Sequence, residues 1–432
     1  MNLIYSIPAL VKIAVIFAAI VLLIRKEISL ASAFLAGALL VAVFFLLSPL
    51  ATAAAVVSSL LHPKTLTLCL IVAQIIVFSG SMEQYGQLRR LMETFRGLIN
   101  SPQLNLSIFP ALIGLLPMPG GAIFSAPMVK EIGNRSGLSD ATLSYINYWF
   151  RHIWEYWWPM YPGILLATLL ADINMAIFMS LMFPFTLVVV QIGWIPVGRF
   201  RLAETTASIP GGRPSVKPFL KEIGPILVVI VAGLLIGWLV SLGFPELSVA
   251  KEIGLLVSLC AGIFLVWRAN RIPWKSRRAI MISPQVFKIV YMVAAIMIFK
   301  EVLDDSGAVD AVSSELVHLG IPLAPICAIL PFIVGLLTGI TIAFVGSAFP
   351  ILIALITSQD QAHLMIPYFM LALSCGFAGV LLSPLHLCLL VSNAYFGTPL
   401  RPVYRLLWRP CAYLVVCAVL YFLLVRWALP WG

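Results

Sequence analysis

The chain has 432 residues, of which 62% are hydrophobic and only 10% are charged. Soluble globular proteins have about 25% charged residues, so the composition excludes a water-soluble fold. The 27 basic and 17 acidic residues give a net charge of +10. In a membrane protein this excess is typical of cytoplasmic loops that face anionic lipid. We therefore expect the lipid bilayer as a partner and no nucleic acid.

Apolar runs of membrane-spanning length follow one another along the whole chain. A span needs about 20 apolar residues, and the runs of this kind are approximately 5–24, 28–47, 65–85, 142–170, 173–197, 222–243, 250–267, 284–305, 364–395 and 408–428. They are continuous and lack the two-residue alternation of a barrel strand. The sequence therefore predicts an all-α polytopic membrane protein with about ten transmembrane helices.

Two further apolar stretches, 103–130 and 321–357, are interrupted in the middle by glycine and proline. Basic residues follow every odd-numbered span, and in short loops they mark the cytoplasmic side. Every odd-numbered span can end on the cytoplasmic side only if each interrupted stretch enters and leaves the membrane on the same side. We therefore predict two opposed re-entrant hairpins, in a multi-pass protein of the cytoplasmic (inner) membrane with both termini outside.

The two halves of the chain resemble each other at a spacing of 221 positions. The spacing places Gly335-Leu336-Leu337 on Gly114-Leu115-Leu116, and Phe299, Asp304 and Gly307 on Phe78, Glu83 and Gly86. Each half then has three spans, a hairpin and two spans, and this odd number of crossings inverts the second copy. We assign residues 1–197 to the first repeat, 198–221 to a cytoplasmic linker and 222–432 to the second repeat. Inverted repeats with paired broken helices are typical of secondary transporters.

The tips of the two hairpins are the first candidate binding site. Helices must stop at their glycines and prolines, and the amides freed at a half-helix N-terminus offer about half an elementary charge to an anion. The candidate substrate-binding residues here are Pro119, Gly120, Gly121 and Ser125 in the first hairpin, and Thr338, Gly339, Thr341 and Ser347 in the second. The alternative is a pair of packing kinks, because glycine and proline are common in membrane helices.

The aromatic run 148–159 contains three residues that can carry charge inside an apolar span. Arg151 and Glu155 lie four positions apart and can share one helix face, and His152 stands beside them. Arg151 could hold a carboxylate or phosphate through two hydrogen bonds, with Glu155 or His152 as the proton carrier. The alternative is an aromatic belt at the membrane interface.

Three other residues are weaker candidates. Glu83 and Asp304 end matched spans, where an acid can couple an ion, stabilise the hairpin neck or simply be solvated. We consider Glu83, Asp304 and Glu155 as coupling-ion residues. His386 follows Ser383-Pro384 in the last interrupted span and is the second-half candidate for substrate binding, although a lone histidine is often structural.

The remaining motifs argue against enzyme and metal chemistry. The sequence has no P-loop, no His-Glu-x-x-His and no Gly-x-Ser-x-Gly, so we do not expect an enzyme. It also has no Cys-x-x-Cys, and no histidine stands near a cysteine in a metal-binding pattern. We therefore expect the seven cysteines to be small buried hydrophobes, with no metal site. Residues 87–97 have the pattern of a short interfacial helix.

The stretches 116–128 (LPMPGGAIFSAPM) and 147–159 (NYWFRHIWEYWWP) resemble the membrane-protein family called domain of unknown function 401. The resemblance extends over the whole chain and implies a place in the ion transporter superfamily of inverted-repeat carriers. Those carriers hold substrate and sodium at the tips of two opposed hairpins and are often dimers. The resemblance thus implies a homodimer, with no cofactor other than Na⁺ as a coupling ion. The chain lacks the paired Ser-Asn-Thr tips of the sodium–dicarboxylate branch.

Together these features predict a secondary transporter for a small organic anion, coupled to H⁺ or Na⁺. The alternative is an intramembrane enzyme or lipid-processing protein that uses His152 and Glu155. Such an enzyme does not need the second hairpin. A channel would need a polar stripe along several spans, and the sequence lacks one.

Overall fold

The computed structural model describes residues 7–118, 120–197, 214–244, 246–247 and 249–428. Within these ranges the secondary structure is helical and contains no β-strand, which confirms the all-α class. Pro119 and residues 198–213 of the predicted linker lie outside the described residues.

The described part of the first half contains ten α-helices. They are α1 (Ala9–Arg25), α2 (Leu30–Phe44), α3 (Pro49–Leu61), α4 (Pro63–Gln84), α5 (Gln87–Phe95), α6 (Pro102–Gly114), α7 (Ala122–Arg135), α8 (Asp140–Arg151), α9 (Pro162–Leu170) and α10 (Met175–Trp194). Several begin at a proline that follows a serine cap, as at Ser48 and Ser101, whose hydroxyls each accept a backbone N–H three residues on. Both residue types favour helix starts.

The described part of the second half also contains ten α-helices and one 3₁₀ turn. They are α11 (Lys217–Gly243), α12 (Ala250–Ala269), α13 (Trp274–Met281), α14 (Pro284–Asp305), α15 (Ala308–His318), α16 (Leu323–Thr338), α17 (Thr341–Ser358), the 3₁₀ turn Ala362–Leu364, α18 (Met365–Leu382), α19 (Leu387–Phe396) and α20 (Leu400–Ala428).

The helix bounds recur at the spacing found in the sequence. Helices α4 and α14 both have 22 residues, and they begin at Pro63 and Pro284, which are 221 positions apart. Each is followed by a glycine with φ of 66°, Gly86 or Gly307, that precedes a short helix. Glycine adopts positive φ without steric cost, so the same turn recurs in both halves. The inverted arrangement of the repeats in the membrane stays a prediction.

By length and composition, seven helical stretches of the described residues can cross a membrane. They are Pro63–Gln84, Met175–Trp194, Lys217–Gly243, Ala250–Ala269, Thr341–Ser358, Ala362–Phe396 and Leu400–Ala428. These stretches confirm a multi-pass protein, whereas the count of ten spans stays a prediction. Helix α17 is itself long enough to cross, so the re-entrant character of the second hairpin stays a prediction too. Helix α3 was missed because its 13 residues are too few for a span.

The long helices differ strongly in burial. The best window of Ala362–Phe396 is 89% buried, whereas that of Lys217–Gly243 and that of Leu400–Ala428 are each 28% buried. Helices α11 and α20 expose large apolar side chains such as Trp238 and Leu420, which suits contact with lipid acyl chains. Helix α18 therefore lies in the interior of the protein, whereas α19 is buried on one side and exposes Leu387 and Leu390 on the other.

Glycine allows the closest helix contacts. A Cβ on Gly254 of α12 would stand 2.2 Å from the backbone nitrogen of Gly237 in α11, and one on Gly335 of α16 would stand 2.2 Å from the carbonyl oxygen of Gly376 in α18. Small residues allow helix backbones in membranes to approach in this way. Helix α16 is thereby held against the buried helix α18.

The short helices α5 and α15 connect each long helix to the hairpin that follows it. Leu88, Leu91 and Phe95 of α5 are buried on one side, which agrees with the amphipathic pattern of the sequence. In α15, the two carboxylate oxygens of Glu315 accept hydrogen bonds from the backbone N–H groups of Ala9 at 2.6 Å and of the next residue at 2.9 Å. The second-half helix α15 thus caps the N-terminus of α1.

Candidate functional site at the two helix breaks

Two helices are interrupted at segments that contain buried polar residues, His152 and Glu155 in one and Ser383 and His386 in the other. Residues 152–161 separate α8 from α9, and residues 383–386 separate α18 from α19. We call these segments the first break and the second break. Pro159 lies in the first and Pro384 in the second, and proline cannot donate the backbone hydrogen bond that a continuing helix needs. The interruption at Pro384 was predicted from the sequence.

The connection between α6 and α7 is the tip of the first hairpin, and it lies directly against Arg151. A Cβ on Gly114 would stand 2.0 Å from the carbonyl oxygen of Arg151, and one on Gly121 would stand 2.5 Å from its Nη2 atom. Gly120 has φ of 70°, which favours glycine. Pro119, a predicted site residue, lies outside the described residues. Glycine at this tip therefore makes room for the arginine.

The connection between α16 and α17 is the tip of the second hairpin, and it contacts both breaks. Gly339 has φ of 68°, and a Cβ there would stand 3.0 Å from the backbone nitrogen of His386. The hydroxyl of Thr341 donates to Glu155 Oε2 at 3.2 Å. A Cβ on Gly163, just after the first break, would stand 2.8 Å from Thr341 Cγ2. The structure therefore brings the second tip to both breaks.

Six side chains meet where the tips and the breaks converge. We call them the central polar group, and they are Arg151, His152, Glu155, Thr341, His386 and Cys388. Only 2% of the surface of Arg151, 1% of His152 and 7% of Glu155 is exposed. Such groups are rare in the apolar interior of membrane proteins and are by default functional candidates.

The hydrogen bonds of His152 determine which of its ring nitrogens carries the hydrogen. Its Nδ1 lies 2.6 Å from the carbonyl oxygen of Tyr148, and because a carbonyl only accepts, Nδ1 carries the hydrogen. Its Nε2 lies 3.1 Å from His386 Nε2 and 3.6 Å from Glu155 Oε1. With both rings neutral, His386 donates and His152 accepts. The two breaks are thus joined by a hydrogen bond that can change with proton binding.

The guanidinium of Arg151 has few partners for a buried cation. Its Nη2 donates to the carbonyl oxygen of Met118 at 2.7 Å, and its buried Nε has no hydrogen-bond partner among the described residues. Arg151 takes part in none of the ion pairs between described residues. Arginine has five N–H donors in a planar fork, so the group retains capacity for a carboxylate or phosphate.

The aromatic residues around Arg151 lie in the interior and not in a belt at the surface. Trp154 Nε1 donates to the carbonyl oxygen of Ala111 at 2.7 Å, and Trp158 Nε1 donates to that of Leu115 at 2.9 Å. Tyr161 donates its hydroxyl to the carbonyl oxygen of Gly114 at 2.6 Å. Carbonyls at the end of α6 have no helical partner, so the aromatic run satisfies the end of the first half-helix.

Asn147 ties the first hairpin to both interrupted helices. It accepts from the Ser125 hydroxyl at 2.6 Å, and it donates to the Ala122 carbonyl oxygen at 2.9 Å and to the Ser392 hydroxyl at 2.7 Å. All four residues are buried. The predicted site residue Ser125 therefore belongs to a closed network that positions α7 and α19 beside α8.

Four other predicted residues lie apart from the central polar group. The hydroxyls of Thr338 and Ser347 donate to carbonyls of their own helices at 2.8 Å. Glu83 and Asp304 are exposed at the ends of α4 and α14, and Asp304 pairs with Lys300 at 2.8 Å. Their roles in substrate or ion binding stay predictions.

Cys388 and Asn147 are site residues that the sequence analysis missed. The expectation that no histidine lies near a cysteine is wrong for Cys388, because its sulfur and ring nitrogens of His152 and His386 lie within 4.8 Å of one another. The short spacing of His386-Leu387-Cys388 was visible in the sequence and could have indicated Cys388 as a site residue. His152 is separated from this segment by more than half the chain, so its proximity was not visible.

A cavity of about 160 Å³ extends among α4, α9, α11 and α12 and reaches the first break. Its lining is mostly apolar and includes Pro159, with Lys251 and Glu252 at the beginning of α12. The lining does not include Arg151 or His152. The cavity therefore touches the first break at Pro159 and is separate from the central polar group.

Comparison with known proteins identifies the family but no activity. A search of curated proteins finds no match to the chain. The predicted place in the ion transporter superfamily stays a prediction. A family match does cover residues 8–425, nearly the whole chain. The chain belongs to the family described as protein of unknown function (DUF401).

Proposed function

We propose that the chain is a secondary active transporter that moves a small organic anion, such as a carboxylate, across the cytoplasmic membrane. One observation carries the proposal: Arg151 is buried, its Nε has no partner, and it forms no ion pair with a described residue. A charged residue at mid-membrane costs about 2.5–3.5 kcal/mol on insertion scales. An anionic substrate would supply the negative charge that Arg151 lacks as a partner.

The position of Arg151 favours an anion further. Its guanidinium lies against Gly121, which immediately precedes the first residue of α7. The N-terminus of a helix carries a partial positive charge and unpaired N–H groups. In α7 the N–H groups of Ile123 and Phe124 already donate to the carbonyl oxygens of Gly120 and Gly121. A carboxylate beside the arginine fork would therefore gain its hydrogen bonds from Arg151 and a favourable dipole from the helix end, and charge-assisted bonds of this kind are among the strongest.

Alternating access would arise from movement of the hairpins against the remaining helices. Both hairpin tips contact the breaks, and the breaks contact each other through His152 and His386 at 3.1 Å. This contact closes the centre of the protein. The cavity beside Pro159 offers a route from one side when the contact separates.

Coupling to H⁺ or Na⁺ would be located at Glu155 and His152. Both are buried and lie 3.6 Å apart, so substrate and proton would act at one place. Glu83 and Asp304 are exposed at helix ends and are less suited to this task. The proposal keeps the inner membrane and external termini predicted from the sequence and the homodimer implied by the family resemblance, and it excludes a catalytic role.

Uptake into proteoliposomes tests the proposal. A thermal-shift screen of organic anions would select the substrate, and uptake would then be measured with an imposed pH gradient or Na⁺ gradient. We expect one gradient to drive accumulation, Arg151→Gln to abolish it, and Arg401→Gln, at an exposed position on α20, to preserve it. Arg151→Lys keeps the charge but loses the two-pronged fork, and it should weaken uptake. If no gradient moves any carboxylate, the proposal fails.

A second candidate function is an intramembrane enzyme or lipid-processing protein. The observation that favours it is the separation of 3.6 Å between His152 Nε2 and Glu155 Oε1, which suits an acid–base pair. An enzyme would convert a lipid or ester in detergent solution without a gradient, and Glu155→Gln would stop the conversion. A transporter would release its cargo chemically unchanged, so mass analysis of the cargo distinguishes the two.

A further inference from the structure

We propose that His152, His386 and Cys388, with Glu155 as a fourth ligand, bind one zinc ion between the two breaks. The ligand atoms of the first three residues lie within 4.8 Å of one another, and all three residues are buried. Imidazole and thiolate are the ligands that zinc prefers in proteins. The inference does not depend on transport.

The observed distances resemble the edges of a zinc tetrahedron. Zinc binds histidine nitrogens at about 2.0–2.1 Å, so two nitrogens of a tetrahedral site are separated by about 3.3 Å. The Nε2 atoms of His152 and His386 are 3.1 Å apart, and Glu155 Oε1 is 3.6 Å from His152 Nε2. Both histidines and Glu155 would need only small shifts for an ion to replace the hydrogen bond between the rings. The sulfur of Cys388, which lies within 4.8 Å of the ring nitrogens, would have to come to about 3.5 Å from them.

The second ring nitrogen of His152 is arranged as in a metal ligand. Its Nδ1–H donates to the carbonyl oxygen of Tyr148 at 2.6 Å, which leaves the lone pair of Nε2 directed toward His386. Histidines that bind metals almost always donate their other N–H to a carbonyl or carboxylate in this way. The backbone of α8 therefore prepares the ring for metal binding.

The charges of the ligand set also suit a divalent ion in an apolar interior. On binding, the Cys388 thiol releases its proton to solvent and becomes a thiolate. The thiolate and the Glu155 carboxylate then neutralise the two positive charges of zinc, while both histidines stay neutral. A site with no net charge avoids most of the penalty for burying an ion. Hard cations such as Mg²⁺ prefer oxygen ligands and fit this set poorly.

The ligands come from the two halves of the chain. His152 and Glu155 belong to the first break, whereas His386 ends the second break and Cys388 lies in the first turn of α19. Zinc would therefore link the two breaks while they are in contact. We expect zinc to raise the thermal stability of the purified protein, because a ligand that binds only the folded state stabilises it.

Cobalt binding tests the site, since Co²⁺ replaces zinc and absorbs light when thiolate is a ligand. Protein purified in detergent and treated with chelator would be titrated with Co²⁺ and then with Zn²⁺. We expect one Co²⁺ per chain, a thiolate-to-cobalt absorption band, and displacement by Zn²⁺. Cys388→Ser should lose the band and weaken binding at least about 10-fold. Cys411→Ser, a matched variant at a buried cysteine of α20, should keep both.

Two outcomes overturn the proposal. In the first, the wild-type protein binds neither ion; in the second, Cys388→Ser keeps an unchanged absorption band. If Cys388→Ser does not fold, X-ray absorption of the zinc-loaded wild-type protein decides, because a first shell without sulfur contradicts the site. No anion or gradient is used, so a negative result here leaves the transport proposal unaffected.

Discussion

A methyl group added at Gly121 should disturb the anion site without changing any charge. The backbone of Gly121 has φ of −56°, which alanine adopts freely, so the effect of Gly121→Ala is purely steric. The new Cβ would stand 2.5 Å from Arg151 Nη2 and 3.2 Å from its Cζ and Nε atoms. Because the guanidinium is buried, it must move away from the carbonyl of Met118, which accepts its hydrogen bond.

The size of the effect follows from these contacts. Overpacking of a filled interior costs about 1–3 kcal/mol, so the thermal midpoint should fall. Displacement of the guanidinium would also remove a charge-assisted contact to the bound anion, worth about 1.5–3 kcal/mol. This loss corresponds to about a 10- to 150-fold increase in Kd.

The assay compares thermal midpoints and anion Kd values of purified variants. Gly80→Ala is the matched control, because Gly80 lies in helix α4 and its added Cβ would meet only Ile280 Cγ2, at an ordinary 3.7 Å. We expect the control to bind anion normally and to be as stable as the wild type or slightly more stable. If Gly121→Ala keeps both the midpoint and the Kd of the wild type, the close approach of Arg151 to the hairpin tip is refuted.

Three further substitutions test the packing around the site. Glu315→Gln should lower the thermal midpoint by weakening the cap of α1, a loss of about 0.5–2 kcal/mol, whereas Asp310→Asn on the same helix should not; equal midpoints would contradict the cap. Gly254→Ala should destabilise the protein more than Gly224→Ala, because its Cβ would stand 2.2 Å from the backbone of α11 while that of Gly224 meets nothing within 4 Å. Size-exclusion profiles of the two variants would show this difference. Asn147→Leu removes the amide partner of the buried Ser125 and Ser392 hydroxyls, of which Ser125 keeps the Ala122 carbonyl oxygen at 3.3 Å, and should cost about 1–3 kcal/mol; an unchanged midpoint would argue against the network.

Much of the fold could be predicted from local chemistry. Gly86 and Gly307 begin corresponding short helices because both positions need positive φ, and Pro159 and Pro384 interrupt helices because proline lacks an N–H. These causes act within a few residues, so they are visible in the sequence. The spacing of 221 between α4 and α14 follows from the same signals.

The candidate site could be predicted only in part, because its contacts join distant segments. Arg151, His152 and Glu155 were identified by their charge inside an apolar run, but an interfacial belt has the same composition. Only the contacts of the indoles with the end of α6 place the run in the interior. Cys388 was missed because its partner His152 is far away in the sequence.

The most direct test of the anion site is the equilibrium Kd of the tightest-binding carboxylate, measured in detergent for the wild type, Arg151→Gln and Arg401→Gln. If the buried guanidinium of Arg151 binds the substrate, Arg151→Gln will bind at least about 10-fold more weakly, and Arg401→Gln will bind as the wild type does. Wild-type affinity in a folded Arg151→Gln variant would contradict the account.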